Sequence, residues 1–359
     1  MKKSLLALAV LGTFAGVASA QSSVTLFGIV DVGIRNVKNG SNADLWTQST
    51  DGLNSSRLGF RGVEDLGGGL SAGFWLEAGL AADQGNMGGS IGIAAPTNGS
   101  ANIFNRRSTV SLITNFGEIR LGRDYTPGFW NTTIFDPFGT NGVGSFLNMT
   151  TAAGGPLGVP VANTNTSYVR ANNTFGYFLP SNLGGLYGQL QHSLQEQGAP
   201  NGNKQSSGRI GYAAGPFNVA LSYQKTEFNT TDWEHTNLAG SWNFGFMTLM
   251  AFYDKAEFVA AEQNSWLIGA VVPFGQGEFK ISYTDADVKG SIGAVNLNPN
   301  DANQLAIGYV YNVSKRTALY GAYSIIKNDG QANFTISGGS GAATGDDSKG
   351  FEIGVRHSF

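Results

Sequence analysis

Hydrophobic and polar residues alternate along many short segments of this chain. In the segment 24–38, Val24 and Ile34 fall on one face of an extended strand, and Asp31 and Arg35 fall on the opposite face. Successive side chains of a strand point to opposite sides, so each such segment predicts a strand with one apolar and one polar face. The same alternation recurs in three further segments, at residues 57–64, 70–80 and 303–313.

The polar faces of the predicted strands carry charged residues. Arg57 and Arg61 lie opposite Phe60, and Glu77 lies opposite Leu76. Charges at such positions are unfavourable in the core of a β-sandwich, but they suit a barrel whose outside meets lipid and whose inside meets water. The alternation therefore predicts an all-β protein, a large transmembrane β-barrel with a water-filled interior.

Short and long connections alternate between the strands. The seven short turns are at residues 66–69, 115–117, 180–185, 215–216, 243–245, 273–277 and 312–315. The eight longer polar segments lie near residues 39–54, 84–104, 124–166, 196–206, 229–235, 257–263, 288–301 and 328–348. Because single-chain bacterial barrels have an even number of strands, we predict sixteen antiparallel strands, with fourteen or eighteen as alternatives. Both termini then lie on the short-turn side, which is the periplasmic side in a bacterial outer membrane.

The third long segment, at about residues 124–166, is a candidate constriction loop. It contains four prolines, many glycines and five aromatic residues that would need burial: Phe129, Trp130, Phe135, Phe138 and Phe146. Loops this long in compact domains are usually functional, and the barrel interior offers the required burial. We therefore predict that this loop folds inward and narrows the pore. The alternative is a mobile external loop.

The N-terminus has the pattern of a secretory signal. Lys2 and Lys3 precede the apolar stretch 5–17, which is followed by the small residues 18–20. The stretch is shorter than the roughly 20 residues that a membrane anchor needs. We therefore expect a cleaved signal peptide at 1–20 and a mature barrel domain at 21–359.

Composition narrows the possible functions. The chain has 52 glycines, as expected for many turns, and no cysteine, which excludes disulfides, thiolate metal sites and cysteine nucleophiles. The formal net charge is -3, and no basic run of five or more residues is present, so no nucleic-acid partner is expected.

The sequence gives little support for a catalytic site. The three histidines, His192, His235 and His357, are far apart in sequence, and none has a metal-ligand partner at i+2 or i+4. Neither a nucleophile elbow nor a phosphate-binding loop is visible. We therefore expect no enzymatic activity, no metal and no cofactor.

Several longer motifs point to a family. They are QSSVTLFG at 21–28, SRLGFRGVEDLGGGL at 56–70, AGFWLE at 72–77, RRSTVSL at 106–112, NFGEIRLGRD at 115–124, RANN at 170–173 and SKRTALYG at 314–321. Together they resemble the trimeric general porins of Gram-negative bacteria, in their β-proteobacterial and neisserial branch. The resemblance covers essentially the whole mature chain.

The resemblance implies a sixteen-stranded barrel, an inward third loop and a homotrimer. It also implies contact with outer-membrane lipid and lipopolysaccharide, and insertion by the barrel assembly machinery. That machinery reads a last strand ending in Phe, and this chain ends in Phe359, which shares a face with Phe351, Ile353 and Val355. Phe359 is therefore the candidate assembly signal.

In similar porins, basic side chains on the barrel wall face the third loop. The matching positions here are Arg57, Arg106 and Arg170. Alternation independently turns Arg57 and Arg170 toward the lumen. Arg106 shares its parity with apolar neighbours, so strict alternation would instead make Arg107 the lumenal residue unless a bulge intervenes. Both remain candidates.

The facing loop carries little formal charge. Asp124 stands at its start, and Asp136 is the only acid deeper in. We therefore predict a net positive pore constriction formed by the candidate arginines and Asp136. The alternative is that the arginines are tied to wall or loop carboxylates. By the same alternation, Arg61 and Arg120 also face inward and are candidates for such structural roles.

Taken together, the sequence predicts an outer-membrane channel for passive diffusion of small hydrophilic solutes and ions, with a preference for anions. A solute-specific channel for small organic anions is the main alternative, and a barrel serving adhesion or surface structure is the third.

Overall fold

The computed structural model describes residues 23–87, 103–150, 168–195, 204–228, 231–298, 300–341 and 343–359. The predicted signal peptide, 1–20, lies outside these ranges. Among the described residues, no helix is both long and apolar enough to cross a membrane.

Sixteen long strands form one closed antiparallel sheet, which confirms the predicted strand number. They are β1 (Ser23–Asn39), β2 (Arg57–Gly67), β3 (Leu70–Ala81), β4 (Arg107–Thr114), β5 (Gly117–Tyr125), β6 (Arg170–Phe178), β7 (Leu186–Ser193), β8 (Lys204–Ala214), β9 (Phe217–Glu227), β10 (Asp232–Asn243), β11 (Thr248–Phe258), β12 (Ala260–Phe274), β13 (Gly277–Ile292), β14 (Ala302–Asn312), β15 (Thr317–Asn328) and β16 (Ser348–Ser358). Each strand pairs with the next, and β16 pairs with β1 from Ile29↔Ser358 to Asn39↔Ser348, which closes the barrel. Three short strands extend the loops, at Leu45–Ser49, Asn86–Met87 and Val295–Asn296.

The two faces of the barrel wall differ as the alternation predicts. On β1, Leu26 and Ile34 are more than half exposed, whereas Asp31, Arg35 and Asn39 on the other face are buried inside the barrel. An outward apolar face suits contact with lipid, and the inward face is polar.

The observed connections differ from the prediction at two of the long segments. The connection predicted near 229–235 is shorter, because β10 already begins at Asp232. The sequence pattern predicts a long loop near 257–263, but β11 and β12 are joined by Val259 alone, which has a φ of 59°. The polar residues there belong to the strands, because Glu257 pairs with Glu262 across the hairpin and Lys255 contacts both carboxylates at 2.8 and 3.4 Å. The loop predicted near 257–263 is therefore wrong, because the polar residues there lie at strand ends.

The third loop folds into the barrel. Because β5 continues to Tyr125, the loop begins at Thr126, and its described part, 126–150, contains helix α1 (Pro127–Phe135) and a 3-10 helix at Phe146–Met149. The Thr126 hydroxyl accepts a hydrogen bond from Phe129 N, and a proline follows in the first turn, as expected for a helix start.

Burial of aromatic side chains holds this loop against the inner wall. Phe135 and Phe146 are fully buried and pack against Phe252 and Leu267 of the wall. This placement confirms the inward fold for the described part of the loop, and the mobile external alternative is wrong there. Residues 151–166 of the predicted loop lie outside the described ranges.

Candidate pore constriction

The predicted arginines lie at one end of neighbouring strands. Arg57 opens β2, Arg106 directly precedes β4, and Arg170 opens β6. Because adjacent antiparallel strands alternate in direction, the start of one strand lies beside the end of its neighbour. The side chains therefore meet near Tyr125, the last residue of β5, and Glu77, which is close to the end of β3.

Glu77 is the carboxylate of this cluster. Its Oε1 accepts hydrogen bonds from Arg106 Nε at 2.6 Å and from Arg57 Nη1 at 3.4 Å. Its Oε2 accepts a hydrogen bond from Trp75 Nε1 at 3.0 Å. The alternative that the arginines are tied to a wall carboxylate therefore holds for Arg57 and Arg106. Three guanidinium groups and one carboxylate still carry a net positive charge.

Tyr125 links the arginines to the third loop. Its hydroxyl oxygen accepts hydrogen bonds from Arg106 Nη2 at 2.7 Å and from Arg170 Nη2 at 3.0 Å. The guanidinium of Arg170 lies 4.5 Å from the Tyr125 ring centroid, and Phe129 of α1 stacks on that ring at 5.4 Å. The arginine cluster and the start of the constriction loop are therefore one packed unit.

The side chains of Arg106 and Arg107 both point into the barrel, although strict alternation along a strand would turn only one of two adjacent residues inward. Arg107 is the first residue of β4 and shares the inner face with Thr109 and Ser111, as strict alternation predicts. Arg106 precedes the strand, so the strand's alternation does not fix its direction, and its side chain turns to Glu77.

Arg107 and Arg120 form a separate, charge-balanced group. Arg107 Nε lies 3.4 Å from Asp124 Oδ1, and Arg120 contacts both Asp124 at 2.7 Å and Glu118 at 2.8 Å. Two arginines thus face two carboxylates, which is the structural role considered for Arg120. Arg61 instead lies over the rings of Phe27 and Trp75 at 5.3 and 5.1 Å.

Asp136 is placed inside the loop. The sequence predicts Asp136 at the pore constriction, but its side chain is buried, and its two oxygens accept hydrogen bonds from the backbone amides of Phe138, Thr140 and Phe146 at 2.9 to 3.0 Å. Burial raises the pKa of Asp136, and these amides oppose that shift. Asp136 therefore holds the loop in shape, and the net positive charge of the arginine cluster is not offset by an exposed loop acid at this position.

One further arginine was missed by the sequence reasoning. Arg123 Nε donates to the carbonyl of Asn105 at 2.6 Å, and its Nη1 hydrogen-bonds the side chain of Asn172. Arg170 Nε donates to the next carbonyl, that of Arg106, at 3.0 Å. A register shift between Gly122 and Asp124 interrupts β5 here, so simple alternation could not place Arg123.

The tip of the third loop is fixed near the seam between β16 and β1, where Glu352 and Arg35 lie. Val143 N donates to Glu352 Oε1 at 3.0 Å, and Gly142 N donates to Asp51 O at 2.9 Å. Arg35 binds both acids, with its Nε 2.8 Å from Glu352 and its Nη2 2.7 Å from Asp51. Gly142 has a φ of 68°, and a Cβ there would lie 2.1 Å from Glu352 Oε1, so this docking requires glycine.

The beginning of the loop is held by a buried polar group. Asn131 Nδ2 donates to Asn237 Oδ1 at 2.9 Å, and the hydroxyls of Tyr168 and Thr132 hydrogen-bond each other. Burial raises the pKa of Tyr168 well above its usual value, which keeps the phenol protonated. His235, which has no metal-ligand partner at i+2 or i+4 in the sequence, lies 2.6 Å from Asp254 Oδ1 in this same buried region. Within the described ranges, no three metal-ligating side chains cluster.

Phe359 closes the barrel seam. Its backbone exchanges two 3.0 Å hydrogen bonds with Gly28. Its ring covers Gly28, where a Cβ would lie 2.4 Å from Phe359 Cζ. The terminal aromatic thus packs on the first strand.

Comparisons with known proteins agree with this architecture. The family profile described as "Gram-negative porin" matches residues 7–331. The chain is similar to outer membrane porin protein 32 of Delftia acidovorans, at 37% identity over the full length of both chains. It is 26% identical to the major outer membrane protein P.IB of Neisseria meningitidis serogroup B, again over both full lengths. Among solved structures, the anion-selective porin from Comamonas acidovorans matches with a TM-score of 0.81 and 35% identity, covering 94% of this chain and 100% of that one. The chain therefore belongs to the Gram-negative porin family and is a protein of the bacterial outer membrane.

Proposed function

We propose that this outer-membrane porin conducts small hydrophilic solutes by passive diffusion and prefers anions. The observation that carries the proposal is the cluster of Arg57, Arg106 and Arg170 around Tyr125 and a single carboxylate, Glu77. The side chain of Arg57 is 21% exposed, so it is the member most accessible to a passing ion. The anion-selective porin from Comamonas acidovorans resembles this chain over nearly its whole length and supports the same preference for anions.

Simple electrostatics gives the size of the effect. A unit charge about 5 Å from an ion contributes roughly 0.8 kcal/mol even at the dielectric constant of bulk water. Two net positive charges would therefore favour an anion by about 1.7 kcal/mol, and about 1.4 kcal/mol corresponds to a tenfold ratio. Lysines and acids on the outward face do not enter this balance, because salt screens them over about 10 Å at 0.1 M.

The first test is the reversal potential of single wild-type channels in a potassium chloride gradient. We expect the sign that corresponds to chloride preference, strongest at low salt and decreasing toward 1 M, where the Debye length falls to about 3 Å. Cation preference at low salt would contradict the proposal. Conductance that saturates with one organic anion and not with chloride would instead favour a solute-specific channel.

We also propose that the protein is a homotrimer whose outward face contacts lipid and lipopolysaccharide. An outer membrane protein of Vibrio cholerae with the same fold has a structure in trimer form. In a mild detergent the purified protein should migrate as a trimer on unheated gels and as a monomer after boiling, because a closed barrel leaves no strand edge open to detergent-induced unfolding. A monomer band without heating would contradict the trimer.

Phe359 is proposed as the signal read by the assembly machinery. Replacing Phe359 with alanine should lower the yield of folded protein in the outer membrane, while the channels that assemble keep wild-type conductance. Replacement with tyrosine, which keeps the ring over Gly28, is the matched control and should restore most of the yield. Equal yields from all three proteins would show that this aromatic is not read.

A further inference from the structure

A second basic position lies on the inner wall, under the constriction loop and apart from the arginine cluster. Arg209 on β8 pairs in register with Gln189 of β7 and Ser222 of β9. All residues of these three strands are described, and Arg209 is the one charged residue among their inward positions. Helix α1 packs over the same strands.

The guanidinium of Arg209 lacks the partners that a buried charge requires. Its Nε and Nη1 are buried, and no hydrogen-bond acceptor among the described residues reaches them. The Tyr187 ring lies 5.0 Å from its Cζ, but the Tyr187 hydroxyl donates its proton to Asn218 at 2.7 Å. Burying such a group without a counter-charge is costly, so an arrangement of this kind indicates a missing acceptor.

The neighbouring side chains present further unused donors. Gln189 Nε2, Ser207 Oγ and Gln224 Nε2 are all buried without a hydrogen-bond partner in the described part of the chain. Ser207 pairs in register with Gln224, and Arg209 lies two residues along β8 on the same face, so these groups fall within one small patch.

Acceptors are scarcer than donors in this patch. On these three strands the unsatisfied acceptor atoms are Oε1 of Gln191, Gln205 and Gln224, besides the Ser207 hydroxyl, which can serve either way. Gln191 already donates its amide to Tyr125 O at 3.1 Å, and Ser222 donates its hydroxyl to Asn237. Water molecules alone would have to accept several hydrogen bonds next to a fixed positive charge. An anion accepts these hydrogen bonds and also neutralises the charge.

We propose that Arg209, Ser207, Gln189 and Gln224 bind a small monovalent anion of chloride size between α1 and the barrel wall. The site is distinct from the arginine cluster and supplies a second anion position in the lumen. It rests on the proposed anion preference only in that anions must be able to enter the pore.

Bromide is a suitable probe, because its anomalous scattering identifies it in crystals. We expect a bromide peak within hydrogen-bonding distance of Arg209 Nε or Nη1 in the wild-type trimer. The peak should be lost in R209Q and weakened in R209K, which keeps the charge but not the planar donor fork. In R61Q, which removes the same charge elsewhere in the lumen, it should remain.

A solution measurement guards against binding that occurs only in crystals. Bromide should raise the unfolding temperature of the detergent-solubilised wild type and of R61Q more than that of R209Q, because a ligand stabilises the state that binds it. Ordered water without bromide at Arg209, or equal bromide shifts in all variants, would overturn the proposal. The wild-type reversal potential tests the proposed anion preference separately, because it does not depend on the bromide peak at Arg209.

Discussion

Replacing Arg57 with glutamate is expected to move the reversal potential of the channel toward cations at low salt. The new carboxylate and Glu77 would together balance the charges of Arg106 and Arg170. A change of two unit charges about 5 Å from an ion alters its energy by about 1.7 kcal/mol, or the local ion ratio by more than about tenfold. The measurement is single-channel selectivity in a salt gradient, repeated at high salt, where the difference should shrink.

Arg61 offers a matched control for this experiment. It also lies on the lumenal face, but it packs over Phe27 and Trp75 and makes no ion pair in the described part of the structure. Replacing Arg61 with glutamate makes the same charge change outside the cluster and should shift selectivity less. Equal shifts would mean that the total charge of the lumen decides selectivity and that the cluster has no special role.

Replacing Glu352 with alanine is expected to release the tip of the third loop. The variant loses the acceptor for Val143 N and one partner of the buried Arg35. Removing one member of a buried ion pair typically costs about 3–5 kcal/mol, and the remaining contact with Asp51 places this case toward the lower end. We expect a lower unfolding temperature, a larger mean conductance and more open-channel current noise.

Glutamine at position 352 separates the two losses. Its side-chain carbonyl can still accept from Val143 N, while the charge opposite Arg35 is removed. The expected result is reduced stability with nearly wild-type current noise. Wild-type noise in the alanine variant would show that the loop tip is held by its other contacts, such as the one between Asn141 and Ser55.

The barrel could be predicted from the sequence because one physical property, the alternation of side chains along a strand, repeats in almost every segment. Val24, Ile34, Asp31 and Arg35 fall on the predicted faces. Polar residues do not mark a loop at Glu257 and Glu262, because these two residues pair across a tight hairpin.

The constriction was harder to predict, because its contacts are not periodic. Alternation placed Arg57, but Arg106 itself precedes its strand, so alternation does not fix its direction, and Arg123 lies at a register irregularity. The sequence contains no signal that Asp136 binds three backbone amides of its own loop. Such hydrogen bonds are visible only when the loop has a defined conformation.

The docking of the third loop also constrains the order in which the protein folds. Its contacts with the wall reach far along the chain: Met149 with Gln263, Ser145 with Gln304 and Val143 with Glu352, at separations of 114, 159 and 209 residues. Contacts between distant residues form slowly, because the intervening chain must be ordered first. Since Glu352 belongs to the last strand, the loop tip cannot reach its final position until β16 has joined the sheet. Narrowing of the pore is thus a late folding event, kinetically coupled to closure of the barrel.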